Sequence, residues 1–214
     1  MRITTVAIVM LPGWLGGSGA ARAEIVWDNH LEPDGVAAIP LTAPAGGVAD
    51  DLHFLAPVAL TAFRLAVIED SGFSAGSRFE FTIYADLEGV PGERIRWDVV
   101  PYAREATGSS FFGRPVFVYT VPLAGLDLEP GRYWIGGRNA DASGTGMNYW
   151  LTSDGGPDGA GSFPSARYLG GAWMPTGYQQ AFELHGRIVP EPRVGLFLLL
   201  ALARSLARRR GSKM

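Results

Sequence analysis

The chain has 214 residues, no cysteine and a single lysine, Lys213. Residues 24–190 carry 20 acidic residues and 10 arginines, a formal charge of −10, so an acidic body sits between basic ends. The missing thiols exclude a disulfide framework, thiolate catalysis and cysteine-based metal sites. The acidity opposes a phosphate backbone, so nucleic acid is not an expected partner.

Arg2 supplies a positive start, and residues 3–15 are apolar apart from Thr4, Thr5, Pro12 and Gly13. Gly16-Gly17-Ser18-Gly19 then loosens the chain ahead of Ala21-Arg22-Ala23. A charged start, an apolar run and a small-x-small site in this order predict a secretory signal helix over residues 1–23. Small residues at Ala21 and Ala23 suit the pockets of signal peptidase, which is expected to cut before Glu24.

From Glu24 onward, apolar and polar residues alternate with the period of half-buried strands. Phe63, Leu65 and Val67 share one face, opposite Ala62, Arg64 and Ala66. Phe79, Phe81 and Ile83 do the same against Arg78, Glu80 and Thr82, and Phe182, Leu184 and Ile188 against Glu183, His185 and Arg187. The continuous β-branched and aromatic run over residues 116–121 predicts a strand covered on both faces. Further strands are expected at residues 24–28, 51–54, 95–99, 132–136 and 149–153. Turns are expected at Glu88-Gly89-Val90-Pro91-Gly92 and Leu128-Glu129-Pro130-Gly131, where Pro-Gly fits the central turn positions. No helical periodicity occurs between Glu24 and Ile188. Nine or so short strands with such turns predict an all-β domain over residues 24–188, a jelly-roll-like β-sandwich.

Catalytic constellations are missing from this body. The three histidines show no His-x-His or His-Glu-x-x-His spacing, and no Gly-x-Ser-x-Gly elbow occurs. Asp50-Asp51 and Glu69-Asp70 are sequence neighbours whose side chains diverge on a strand, unlike a glycosidase pair held across a sugar. They read as a strand entry and a turn, and no enzyme is expected. Asp154 and Asp158 sit in a glycine-rich loop and are candidate calcium ligands, although turn formation explains them equally well. No other cofactor is implied. Trp27, Trp97, Trp134, Trp150 and Trp173 belong to the body. Such rings mostly fill the space between sheets. Trp150 and Trp173, near the loop-rich stretch 136–177, are the candidates for exposed platforms that stack on sugar rings.

The last segment, residues 189–214, begins Val189-Pro190-Glu191-Pro192 and continues with an apolar run over 194–203. Arg204 interrupts it, and Arg208-Arg209-Arg210 closes it. The two prolines end a preceding strand. The apolar helix expected next is shorter than the ~20 residues that cross a bilayer comfortably, and the arginines hold its end in the cytoplasm. A marginal anchor of this kind suits transient retention in the inner membrane.

Pro190-Glu191-Pro192, an apolar helix and an arginine-rich end resemble the PEP-CTERM sorting signal; Arg193 and Arg204 depart from its usual pattern. The resemblance implies recognition and cleavage by an exosortase, a membrane protease-transpeptidase. "ADDLHF", "FEFTIYADLEGVPGERI", "LEPGRYWIGGRN" and "NYWLTSD", spread over residues 49–154, resemble a recurrent β-sandwich ectodomain of PEP-CTERM exported proteins. The address these resemblances imply is export, then the cell surface or extracellular space. The expected role is a non-enzymatic matrix protein embedded in extracellular polysaccharide; the alternative is a carbohydrate-binding module.

Overall fold

Strands form wherever side chains alternate, because each can then bury one face against a second sheet. The computed structural model describes residues 23–32, 37–41, 47–153 and 165–190. Their strands, in chain order, are β1 (Glu24–Asp28), β2 (Ala38–Pro40), β3 (Val48–Phe54), β4 (Val58–Glu69), β5 (Phe73–Ser74), β6 (Arg78–Leu87), β7 (Val90–Pro101) and β8 (Ala103–Phe111). They continue as β9 (Arg114–Leu128), β10 (Gly131–Asn139), β11 (Ser143–Gly144), β12 (Asn148–Ser153), β13 (Ala166–Leu169), β14 (Ala172–Pro175), β15 (Gln179–Gln180) and β16 (Phe182–Ile188). No helix occurs among the described residues. The expected signal helix and C-terminal helix lie outside them, as do Ala21, Asp154, Asp158, Glu191, Pro192, Arg208, Arg209 and Arg210.

Two antiparallel sheets carry the fold. The first runs β1-β16-β4-β12-β15, with β9 on the other edge of β4, β8 beyond β9, and β2 on β12. The second runs β14-β13-β3-β10-β6-β7, and β5 pairs with β11 in a small ribbon. The path from β7 to β8 passes from the second sheet to the first through Pro101 and Tyr102, making a corner of the kind that joins packed sheets.

One core lies between the sheets, drawing Phe63, Leu65 and Val67 from β4, Phe79, Phe81 and Ile83 from β6, and Phe182 and Leu184 from β16. These are the alternating sets read from the sequence. Phe63 sits at the centre, with edge-to-face contacts to Trp150 at 5.4 Å, Phe182 at 5.7 Å and Phe79 at 6.4 Å between ring centroids. Each such side chain contributes roughly 1.5–3 kcal/mol through burial. Residues 116–121 are buried on both faces, apart from partly exposed Thr120. On the outer face of the first sheet Ala66, Ile68, Val116, Leu151 and Ala181 form a second cluster.

Three expectations are corrected. Ile188 does not join the core face; it is 57% exposed, because a bulge between His185 and Gly186 shifts the register of β16 against β4. Gly186 is needed there, since a Cβ would run into the Ala59 carbonyl oxygen. The turn after β6 is the pair Glu88-Gly89, both at positive φ, and Val90, Pro91 and Gly92 already belong to β7. The strands also outnumber the nine or so expected. β8 is exposed along almost its whole length and shows no apolar alternation to betray it.

The described ends of the domain meet. Glu24 faces Gly186 across the β1–β16 ladder, and Val189 N–H donates to the Pro57 carbonyl. Pro190 comes next, with no N–H to extend the pairing.

Candidate functional site

The outer face of the second sheet carries a groove of about 610 Å³. Strand parity explains its lining. In β6 the core takes Phe79, Phe81 and Ile83, so Glu80, Thr82 and Tyr84 point the other way. Across the β10 ladder they face Arg138, Gly136 and Trp134. Across β7 they face Val99, Trp97 and Arg94. Simple alternation from Trp97 would bring Ile95 to that row. A register shift between Ile83 and Tyr84 skips Ile95 and sets Arg94 beside Tyr84 instead. Bulges re-aim side chains in this way.

The side chains buried beneath Tyr84 and Trp173 include the small Ala49 and Ala166. Gly136 faces Ala49, and Ala49 faces Ala166, so a glycine and two alanines cross three adjacent strands. A Cβ on Gly136 would run into the Val48 carbonyl oxygen. The hairpin of β13 and β14 supplies the wall. Its strand β14 comes against β7, the opposite edge of the same sheet, so the sheet curls over its own outer face. Trp173 and Tyr168, paired across that hairpin, line the groove together with Tyr84. Trp173 meets Tyr84 edge-on at 5.3 Å and Tyr168 at 5.4 Å. Trp134 lies buried in the small cluster of Ala49 and Ala166, its indole N–H donating to Asp86 at 2.9 Å.

Polar groups are interleaved with the rings. Arg138 Nε and Nη2 both donate to Glu80 Oε2, at 3.1 and 2.9 Å. Burial pushes the Tyr84 phenol above its ordinary pKa, against the opposing effects of a Thr82 hydrogen bond and the Arg94 charge. The phenol is therefore neutral and can donate. Trp97, facing Thr82 on β7, leaves half of its surface exposed just beyond the groove. Aromatic faces beside guanidinium, carboxylate, hydroxyl and phenol groups suit a ligand with flat apolar ring faces and a rim of hydroxyls.

No protein-family model matches this chain, and no curated protein matches it significantly.

The two tryptophans picked from the sequence part company here. Trp150 is fully buried, its indole donating to the Ala181 carbonyl at 3.0 Å, so it is a core residue and not a sugar platform. The physical reason is parity: Trp150 faces Val67 across the β12–β4 ladder, on the face that meets the second sheet. Trp173 lines the groove. Among the described residues no group of three metal-ligating side chains occurs, and Asp154 and Asp158 lie outside them. Tyr84, Glu80, Arg138, Arg94 and Tyr168 were not read from the sequence as site residues. Tyr84 had a legible signal, an aromatic ring on the outward parity of a strand whose inward set was already complete. Arg94 had none, because the bulge that sets it beside Tyr84 leaves no mark in the alternation.

Two carboxylates outside the groove, Glu69 and Asp70, are internally satisfied. Glu69 accepts from Arg104 Nε at 2.8 Å, Arg104 Nη2 at 2.7 Å and the Tyr119 hydroxyl at 2.6 Å. Asp70 accepts from Arg114, Tyr149 and the Met147 N–H. These pairs tie β4 to β8, β9 and β12 and leave little bonding capacity for a ligand.

Proposed function

We propose that this protein is an exported, non-enzymatic surface protein whose jelly-roll-like sandwich holds extracellular polysaccharide in the groove of Trp173, Tyr168 and Tyr84. The observation that carries this reading is the groove itself: ring faces and hydrogen-bonding side chains share one concave sheet face. Ring-on-ring burial of a sugar supplies affinity, and Glu80, Arg138 and Thr82 supply directional bonds to its hydroxyls.

The reading of address rests on the two ends of the sequence. Signal peptidase removes residues 1–23, and an exosortase acts at Pro190-Glu191-Pro192 after the C-terminal helix has held the chain briefly in the inner membrane. The domain's geometry suits this route. Ile188, Val58 and Leu128 stand together in the first sheet, next to the Phe54 and Gly131 ends of β3 and β10. Val48 and Gly137, at the far end of that β3–β10 pair, line the groove. A chain tethered through its C-terminal end thus presents the groove away from the tether. The polysaccharide-binding reading and the matrix reading then describe one role, a protein fixed in a polymer mesh by the polymer it binds.

The test is affinity electrophoresis of the full-length chain through gels containing the host's own extracellular polysaccharide. Retardation of the wild type, lost in Trp173→Ala and kept in Trp27→Phe, is the expected result. Equal mobility in gels with and without any polysaccharide of the host envelope would discard the reading. Intact mass by cell fraction tests the address: a species from Glu24 to near Pro190 is expected in the envelope or medium. One still ending at Met214 in the inner membrane overturns the sorting reading.

A further inference from the structure

We infer that the groove is built for a polysaccharide bearing carboxylates, a polyuronate, and that Arg94 is the residue that reads the acid group; the inference rests on the sugar-binding reading above. Arg64, Arg96, Arg104, Arg114 and Arg138 each pair with a carboxylate. In the groove, Arg138 is therefore neutralised by Glu80 and serves hydroxyls. The guanidinium of Arg94 makes no hydrogen bond or ion pair among the described residues, yet it lines the groove beside Tyr84. Arg94 is thus a guanidinium without a carboxylate partner among the described residues, placed at an aromatic-lined groove where a ligand can supply one. The backbone reinforces the point, because it takes the bulge at Ile95 to set Arg94 in that row at all.

A guanidinium fork matches a carboxylate with two parallel hydrogen bonds, which fixes the orientation of a ring already stacked on an aromatic face. Trp97 extends the site. It faces Thr82 on the groove side of β7, three residues from Arg94, and is 50% exposed. A chain lying across β6 and β7 therefore meets the rings at Trp173 and Tyr84, then Arg94, then Trp97. That spacing suits a polymer of several sugars over a single terminal residue. The negative body does not forbid such a ligand. At physiological salt a charge is screened within about 8 Å, so contact with Arg94 outweighs repulsion from distant carboxylates.

The experiment compares three probes on the full-length chain at physiological salt: polygalacturonate, the same polymer with its carboxyl groups chemically reduced, and dextran sulfate. The expected result is that polygalacturonate binds roughly tenfold to a hundredfold more tightly than its reduced form, the range of one charge-assisted hydrogen bond. Arg94→Met abolishes that difference, and Trp173→Ala weakens binding of both. Arg94 extends from an edge strand into solvent, so Arg94→Met should melt like the wild type, and the comparison between probes is internal to each variant. Equal binding of the acidic and reduced polymers, unchanged by Arg94→Met, overturns the polyuronate inference and leaves the groove reading standing. A preference for dextran sulfate overturns the carboxylate assignment. Binding of none of these probes and of no host polysaccharide overturns the groove reading itself.

Discussion

Replacing Trp150 with alanine removes a fully buried indole that packs on Phe63 and Phe182 at 5.4 and 5.7 Å. The lost hydrogen bond is the smaller part of the damage. The Ala181 carbonyl that accepts the indole N–H also accepts the Ala66 N–H at 3.1 Å, so it keeps one partner. Losing that bond costs about 1 kcal/mol. The cavity dominates, and truncating a core tryptophan costs about 3–5 kcal/mol. Against a typical total of about 5–15 kcal/mol, this is about a fifth of the stability or more. For a domain of this size it lowers Tm by roughly 6–20 °C. Urea unfolding followed by far-ultraviolet circular dichroism measures it without relying on the deleted fluorophore. Trp150→Phe keeps a ring against Phe63 and should lose less than half as much. A Trp150→Ala protein within about 1 kcal/mol of the wild type that no longer binds polysaccharide would refute the reasoning and return Trp150 to the surface as a platform.

Asp50 is fully buried, and desolvation raises its pKa well above the ordinary carboxylate value, outweighing the N–H groups of Gln180 and Asp51 that favour its charged form. A raised folded-state pKa means stability is complete below the unfolded value and falls as pH rises through the folded one. Unfolding free energy should therefore decline from about pH 4 upward, and Asp50→Asn should flatten that slope; matching slopes in the two proteins would count against it. At the β6–β7 turn, Glu88 has φ +53° ahead of Gly89 at +85°, a conformation that favours Asn-Gly. Glu88→Asn is expected to raise stability by roughly 0.5–1 kcal/mol, measured by calorimetry, and no gain would show that the turn is relaxed as it stands.

The core was legible because alternation reports which face of a strand is apolar, and Phe63, Leu65, Phe79, Phe81, Ile83 and Phe182 all lie where their spacing put them. The groove was legible only in Trp173. Its other members became a site through register and curvature. Glu80 finds Arg138 across a ladder between residues 58 apart, and Tyr168 reaches the groove because the β13–β14 hairpin curls toward β7. Trp150 and Trp173 could not be told apart in advance. Both are tryptophans near the loop-rich stretch, and only the partner strand decides which face each one takes.

The sequence by itself determined the all-β class, the absence of thiol chemistry and the inward sets of β4 and β6, because composition and period-two patterning are local properties. Tertiary structure decided everything that depends on which strands are neighbours. It buried Trp150, bulged β16 at Gly186 and exposed Ile188, and it turned Arg94 to face Tyr84. A bulge adds one residue to one strand of a pair, so its effect appears only when the pair is assembled.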